Sequence, residues 1–204
     1  MDWAEGPEKR LGSGSFKTTH HGILQVGIAL HEVQLPQALQ GNVCIKHPYQ
    51  GVNRSGDVRR VTESFERTCI LREANTMLWA NALHDMSLDM VLSKAPSLGT
   101  PSGPIPDLRF VEAAVVMNLK PDSVKPKDWH GFCALVERLL PEDDFVKYVC
   151  NGTPQPIDLG SDKQHRIAVF LCFLQHIQYR FTKEKAFVSD YQGIFLSRFS
   201  AIRD

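Results

Sequence analysis

The sequence predicts an α+β fold built in two lobes. Runs with β-strand character dominate the first two thirds of the chain, one long helical segment interrupts them, and a second helix precedes the last predicted strand. A chain of 204 residues suits a single domain with a sizeable core. We therefore expect one domain over residues 1–204, with a strand-rich amino-terminal lobe followed by a smaller carboxy-terminal lobe.

Charge and composition exclude several classes of function. The 23 basic residues balance the 23 acidic ones, so neither nucleic acid nor a membrane surface is an expected partner. No apolar run approaches the roughly 20 residues that span a bilayer, and the first ten residues, MDWAEGPEKR, lack the apolar core of a secretory signal. The five cysteines form no Cys-x-x-Cys pair and are expected to be reduced thiols. These features favour a cytoplasmic protein.

The predicted strands of the amino-terminal lobe follow a turn-rich stretch, LGSGSFKTTHHG. β-like runs cover residues 23–30 and 42–49. In the second run, alternation places Val43 and Ile45 on one face of the strand and Cys44 and Lys46 on the other.

A long helix is predicted over residues 62–92. Leu71, Ala74, Leu78 and Ala82 recur close to the helical period, which predicts one buried stripe. Four prolines and two glycines in the next fifteen residues then predict a loop over residues 93–107.

The remaining elements alternate strand and helix. Strands are predicted over residues 108–119, 132–140 and 186–191, and Ser161 is a candidate cap for a helix that precedes the last of them. The apolar face of that helix is predicted to consist of Ile167, Phe170, Leu171, Leu174 and Phe181.

Lys46 ends the strand motif Val-Cys-Ile-Lys, a place where a lysine can hold nucleotide phosphates if a helical acid keeps it in position. Glu73 is the candidate acid, and the alternative is an exposed lysine with a solvated glutamate. The glycines at positions 12 and 14 can bring backbone amides and Lys17 close to phosphates, with an ordinary turn as the alternative.

Asp190 and Gln192 form the strongest local signal near the carboxyl end. A carboxylate can accept a hydroxyl proton, and an amide oxygen can bind Mg²⁺. A β-turn with Asp and Gly in backbone roles is the alternative. His176 stands alone on its predicted helix, without a second histidine at metal-ligand spacing.

Taken in order, several blocks resemble the alpha-type protein kinases, which are atypical serine/threonine kinases, and especially their fungal branch. The blocks are LGSGSFKTTHHGIL, VCIKHPY, LREANTMLWA, LRFVEA, LVERLLPEDDFVKYVCNG, FLQHIQY and VSDYQG. The resemblance covers residues 11–193. It implies an amino-terminal lobe over residues 11–136, and a hinge and carboxy-terminal lobe over residues 137–204.

The resemblance also implies a nucleotide site in which Lys46 contacts the ATP phosphates and pairs with Glu73. Lys17 would reach the phosphates from the glycine-containing loop. Glu137 and Leu139 match the hinge whose main-chain groups bind adenine.

The carboxy-terminal roles are implied in the same way. Asp190 matches the catalytic aspartate and Gln192 the amide that binds Mg²⁺. His176, fourteen residues before Asp190, matches a zinc-binding histidine, but the other zinc ligands of the family are missing. Ser200 stands where the family has a second Mg²⁺-binding aspartate, and the sequence beyond Gly193 does not resemble the family.

The activity implied is transfer of the ATP γ-phosphate to serine or threonine of a protein substrate, with ATP and Mg²⁺ required and the zinc site incomplete. Because of Ser200 and an early end within the carboxy-terminal lobe, we expect poor or absent turnover. The alternative is an ATP-binding pseudokinase that acts as a scaffolding or interaction module.

Overall fold

The computed structural model describes residues 2–3, 10–14, 16–24, 39–52, 58–98, 105–117, 132–141, 145–151, 153 and 155–194. These residues form antiparallel strands and two helices, so the predicted mixed class is confirmed. The chain divides into two compact units, Met1–Leu78 with Phe110–Leu139 and Trp79–Arg109 with Leu140–Asp204. The lobe boundaries stated above remain a prediction.

The first unit contains an antiparallel sheet with seven described strands. Its path runs β1–β3–β4–β7–β6, while β2 also pairs with β3 and β5 with β4. The strands are β1 (Asp2–Trp3), β2 (Arg10–Ser13), β3 (Lys17–Leu24), β4 (Gly41–Val52), β5 (Val58–Arg60), β6 (Ala113–Met117) and β7 (Cys133–Arg138).

Strand β4 at the centre of the sheet confirms the alternation predicted from its sequence. Val43 and Ile45 are fully buried, whereas Cys44 and Lys46 are partly exposed on the opposite face. The buried pair packs in a cluster completed by Leu24, Leu39, Ala134 and Val136. Burial of such aliphatic side chains is the main force that holds the sheet together.

Helix α1 (Glu63–Leu98) covers the other face of β7 with its first half. Ile70 packs against Cys133 and Leu135, so β7 is buried on both faces. The helix was predicted over residues 62–92, and the loop predicted from residue 93 is wrong for residues 93–98. Pro96 lacks a backbone N–H and so removes one helical hydrogen bond, and this loss falls in the last turn of α1. The hydroxyls of Ser93 and Ser97 also donate to carbonyls of the final turns.

The stripe predicted to be buried on α1 is wrong. Leu71 and Leu78 are 45% and 69% exposed, and Ala82 is exposed as well. The buried positions in this part of the chain include Glu66, Ile70, His84 and Ser87. Polar side chains can occupy a buried face when they are hydrogen-bonded, and a stripe built only from apolar residues misses them.

The other strand predictions of the first unit have mixed outcomes. The run at residues 23–30 overlaps the end of β3, and residues 25–30 lie outside the described chain. The run at 108–119 begins later than predicted, at the start of β6, and residues 118–119 lie outside the described chain. The run at 132–140 shortens to β7.

The second unit contains α2 (Asp162–Phe181) and a pair of short antiparallel strands, β8 (Val146–Lys147) and β9 (Gln192–Gly193). The last strand was predicted over residues 186–191 and is wrong, because those residues form no ladder. They run as an irregular segment held by side-chain hydrogen bonds. Only the two residues after it reach a partner strand.

Helix α2 buries Ile167, Leu171 and Leu174 as predicted, whereas Phe181 is exposed and Phe170 half-buried. Ser161 occupies the N-cap position, but its side chain makes no capping hydrogen bond. Within the described ranges, neither helix combines the length and apolarity that a membrane crossing requires.

Candidate functional site

The first unit presents two lysines on one face of its sheet. In the β3–β4 ladder Lys17 lies opposite Pro48 and Lys46 lies opposite Thr19. The two lysines are therefore diagonal cross-strand neighbours, at a Cα separation of about 7–8 Å in such ladders. Strand alternation turns their side chains away from the Val43–Ile45 core, so both ammonium groups belong to one partly exposed surface.

Lys46 forms an ion pair with Glu137, and this corrects the predicted pairing with Glu73. The Nζ–Oε2 distance is 2.6 Å, and both side chains are largely buried. The register explains the contact, because Lys46 lies opposite Leu135 and Glu137 lies opposite Cys44 on adjacent strands. A diagonal neighbour on the same sheet face thus replaces the expected helical acid.

Glu73 instead pairs with Lys17. Both line a cavity of about 430 Å³ between the first turns of α1 and the adjoining ends of β3 and β4. Its remaining lining is mainly apolar and comprises Phe16, Pro48, Tyr49, Gln50, Val61, Thr62, Phe65, Cys69 and Ile70. Each lysine of the face thus has its own carboxylate, and the helix contributes only one of the two.

The glycine turn before Lys17 is tied back to the sheet. The Gly14 amide donates to the Lys17 carbonyl at 2.8 Å, and the Tyr49 hydroxyl donates to the Gly14 carbonyl at 2.7 Å. This is the ordinary turn that the sequence left open as an alternative. Its effect on the site is to fix where β3 begins, and hence the position of Lys17.

A buried pair that the sequence did not reveal fixes the start of α1. Glu66 is fully buried, accepts the backbone N–H of Cys133 at 2.9 Å and lies 3.1 Å from Nδ1 of His47. These contacts tie the helix to β4 and β7 at once. In the sequence, Glu66 is recognisable only as an acid in the first turn of a helix. Such an acid is equally common on an exposed helix end, where the helix dipole stabilises it.

Glu137 and Leu139, the residues predicted to form a hinge, lie at the end of β7 and just after it. The Glu137 side chain pairs with Lys46, and in the sheet Glu137 lies opposite both Cys44 and Ala113. The Leu139 amide donates to the Asn42 carbonyl at 3.4 Å. That distance is longer than the usual 2.7–3.2 Å, so this amide is weakly engaged.

Asp190 lies in the second unit, in the irregular segment before β9 rather than in a strand. Its φ is +60°, a left-handed conformation that is uncommon for a residue with a side chain. Its Oδ1 lies 2.6 Å from Nζ of Lys147 in an ion pair, and this contact raises the pKa of the Lys147 ammonium. Lys147 carried no signal in the sequence, because its partner is 43 residues away and the contact depends on β8–β9 pairing.

The two residues predicted to hold metals, Gln192 and His176, lie on different elements. Gln192 is an exposed residue of β9, directly opposite Lys147, and its amide oxygen is of a type that can bind Mg²⁺. His176 lies on the exposed side of α2. In the described part of the chain no three His, Cys, Asp or Glu side chains are grouped to hold a metal ion, so these residues do not fit structural zinc.

The described residues form a mixed α/β domain in which one sheet face carries two lysine–carboxylate pairs and a separate segment carries an aspartate. A comparison with protein-family models identifies the class more closely: the model described as the alpha-kinase family matches residues 43–200, about three quarters of the chain. The chain belongs to the alpha-kinase family.

The match begins after Lys17, which therefore lies outside it, and includes Lys46, Glu73, Glu137, Leu139, Asp190 and Gln192. It extends seven residues beyond Gly193, where the sequence had shown no further resemblance. Ser200 is the last matched residue and lies outside the residues that the structure describes.

Among solved structures, the chain is similar to one titled as a phosphorylated aspartate in the crystal structure of the alpha-kinase domain of myosin-II heavy chain kinase A. The two share 13% sequence identity with a TM-score of 0.45, over 91% of this chain and 68% of that one. No curated protein sequence matches this chain.

Proposed function

We propose that this protein transfers the γ-phosphate of ATP to serine or threonine residues of a protein substrate. The observation that carries the proposal is the alpha-kinase family match, which contains both Lys46 and Asp190. The family match supports the general class of protein kinase, and the roles given below to single residues are part of the proposal.

Lys46 and Lys17 are proposed to bind the phosphates of ATP. They are diagonal neighbours on one sheet face and partly exposed, so two positive charges can approach one polyanion. Glu137 and Glu73 hold the ammonium groups in place before ATP arrives. Such preorganised charge is the main contribution that proteins make to phosphoryl transfer.

Adenine is proposed to bind the main-chain groups of Glu137 and Leu139. The long hydrogen bond between the Leu139 amide and Asn42 is weak, so an adenine nitrogen can replace the Asn42 carbonyl at small cost. Glu137 would then serve the site twice, through its backbone and through the side chain that orients Lys46.

Asp190 is proposed to accept the proton of the substrate hydroxyl, with Gln192 as a ligand for Mg²⁺. When bound, Mg²⁺ neutralises charge on the phosphates, and it needs few protein ligands because the phosphates and water supply the rest. Lys147 holds the Asp190 carboxylate through its 2.6 Å contact and so fixes the direction in which the carboxylate points.

An ATP-binding pseudokinase is the second candidate, favoured by Ser200. At this position the resemblance predicts a second Mg²⁺-binding aspartate, and serine is a poor substitute for a carboxylate. Removal of one preorganised charged group commonly lowers turnover by ~10²–10³. We therefore expect slow phosphate transfer.

The test is transfer of radiolabelled γ-phosphate from ATP to a basic protein, with Lys46→Met and Asp190→Asn as variants and Lys94→Met as the matched control on an exposed lysine. Slow transfer that is lost in both site variants and kept in the control supports the kinase. ATP binding without any transfer supports the pseudokinase. Transfer that persists in Lys46→Met contradicts the proposed site.

A further inference from the structure

The segment that carries Asp190 is held by its neighbours at every residue. The Ser189 hydroxyl donates to Oδ1 of Asn151 at 2.6 Å, and the Tyr191 carbonyl accepts the Tyr148 and Val149 amides at 2.9 and 3.3 Å. The Tyr191 contacts are backbone hydrogen bonds that adjoin the β8–β9 pair. The other contacts involve side chains, and the most buried of these side chains is on α2.

That side chain is Gln178, which has no exposed surface. Its Oε1 accepts the Val188 amide at 2.8 Å, and its Nε2 donates to the Tyr191 hydroxyl at 3.3 Å. A single amide group therefore forms hydrogen bonds with the residues on both sides of Ser189 and Asp190. A hydrocarbon or a lone acceptor could not make both contacts.

Ser87 and Gln175 complete this hydrogen-bond network. Nε2 of Gln178 also donates to the Ser87 hydroxyl at 3.2 Å, which in turn donates to the His84 carbonyl at 2.8 Å. One helical turn earlier, Nε2 of Gln175 donates to the Val188 carbonyl at 2.7 Å. Both polar ends of Val188 are thus bonded to α2, and the orientation of the Gln178 amide is fixed by Ser87.

The hydrogen-bond network surrounds a residue with an unusual backbone conformation, Asp190. A residue with a Cβ reaches φ near +60° only at an energetic cost, and such conformations persist where the surroundings impose them. The β8–β9 ladder begins only at Gln192, and backbone hydrogen bonds extend the pairing to Tyr191. Hydrogen bonds to Val188 and Tyr191 thus lie on both sides of Asp190.

We propose that Gln178 is a positioning residue of the phosphotransfer site, which holds the left-handed turn so that the Asp190 carboxylate faces Lys147 and the substrate. This inference rests on the proposed function of Asp190. The residue touches no reacting atom in this role and acts through the turn. The sequence signal was present but ambiguous, because Gln178 lies four residues after Leu174 on the buried face of α2.

The experiment compares Gln178→Met with the wild-type chain by NMR. Met has a similar length and no amide, so it fills the space and removes the hydrogen bonds to Val188 and Tyr191. We expect hydrogen exchange of the Val188 amide to accelerate about tenfold or more, because its acceptor is lost. We also expect the backbone chemical shifts of Asp190 to move away from those of a left-handed residue, because its φ of +60° is no longer held.

Leu174→Ala is the control for general destabilisation. Leu174 is fully buried on the same helix, and its truncation loosens the core without removing a polar contact to the segment. It should leave the Asp190 backbone shifts in place. Ser87→Ala is a milder variant should Gln178→Met not fold, and it should change Val188 exchange and the Asp190 backbone shifts in the same direction by less.

Both readouts are independent of turnover, so a chain that transfers no phosphate would contradict the proposed function while the role of Gln178 is still measured. Where turnover is measurable, Gln178→Met should lower kcat about tenfold or more and leave KM for ATP unchanged. If Val188 exchange and the Asp190 backbone shifts are unchanged in Gln178→Met, or change equally in Leu174→Ala, the proposal is wrong.

Discussion

Under the proposed function, an ATP phosphate would meet at Lys46 an ammonium group that already has a carboxylate beside it. Glu137 lies 2.6 Å away and is largely buried, so the pair is oriented before any ligand arrives. Such a pair loses less rotational freedom on binding than a free lysine would. Ligand binding then adds contacts to an ordered side chain.

The identity of the Lys46 partner is testable by double-mutant cycles on the free energy of unfolding. Lys46→Met with Glu137→Gln should give a coupling of about 0.5–1 kcal/mol, the range of partly exposed ion pairs. Lys46→Met with Glu73→Gln should be additive, because Glu73 pairs with Lys17. Coupling of Lys46 to Glu73 and not to Glu137 would contradict the structure.

Cys44 lies next to Lys46 in the chain and is predicted to be chemically inert. Burial raises the pKa of its thiol to about 11, although Lys46 acts in the opposite direction. At pH 8 about one molecule in a thousand then carries the reactive thiolate. Mass spectrometry should show iodoacetamide labelling of Cys44 at least ~100 times slower in the folded chain than in urea. Comparable rates in the two states would show that the thiol is not buried.

At the scale of elements, side chains of β4 pack so closely over Gly22 of β3 that a larger residue there would clash. A Cβ at Gly22 would overlap Cδ1 of Ile45, whereas one at Gly12 would meet nothing. The reason is steric and belongs to the packing of the sheet, since Ile45 fills the core above Gly22.

Gly22→Ala should therefore lower the free energy of unfolding by about 1–3 kcal/mol, as overpacked cores do. Ile45→Val removes the clashing methyl, so the double variant should lose less stability than the sum of the two single variants. Gly12→Ala is the matched control and should change stability by less than ~0.5 kcal/mol. Chemical denaturation measures all four, and strict additivity would refute the clash.

The elements also show which parts of the fold the sequence predicts. Period-2 alternation identified β4 and its buried face, because Val43 and Ile45 are apolar and fully buried. The same logic failed on α1, where Glu66 and Ser87 occupy buried positions with hydrogen-bond partners that are distant in the chain. It also failed at residues 186–191, where side chains of α2 replace a strand partner.

At the scale of the whole molecule, the sequence predicted which residues are candidates for the site but not which residues pair with them. Lys46 and Asp190 stood out through short motifs, whereas Glu137 and Lys147 became their neighbours only through strand register. Register depends on every strand of a sheet at once, so a local pattern does not reveal it. The order of motifs along the chain indicated the family, and the family match confirms it.

The central claim is that the first unit binds ATP through Lys46, and nucleotide-dependent stabilisation tests it most directly. Unfolding is measured for the wild-type chain, Lys46→Met and the exposed-lysine control Lys94→Met, with Mg-ATP at about 100 times its dissociation constant. The wild type and the control should gain about 2.7 kcal/mol, and Lys46→Met should gain almost nothing. Equal stabilisation of Lys46→Met, or none in the wild type, would contradict the claim.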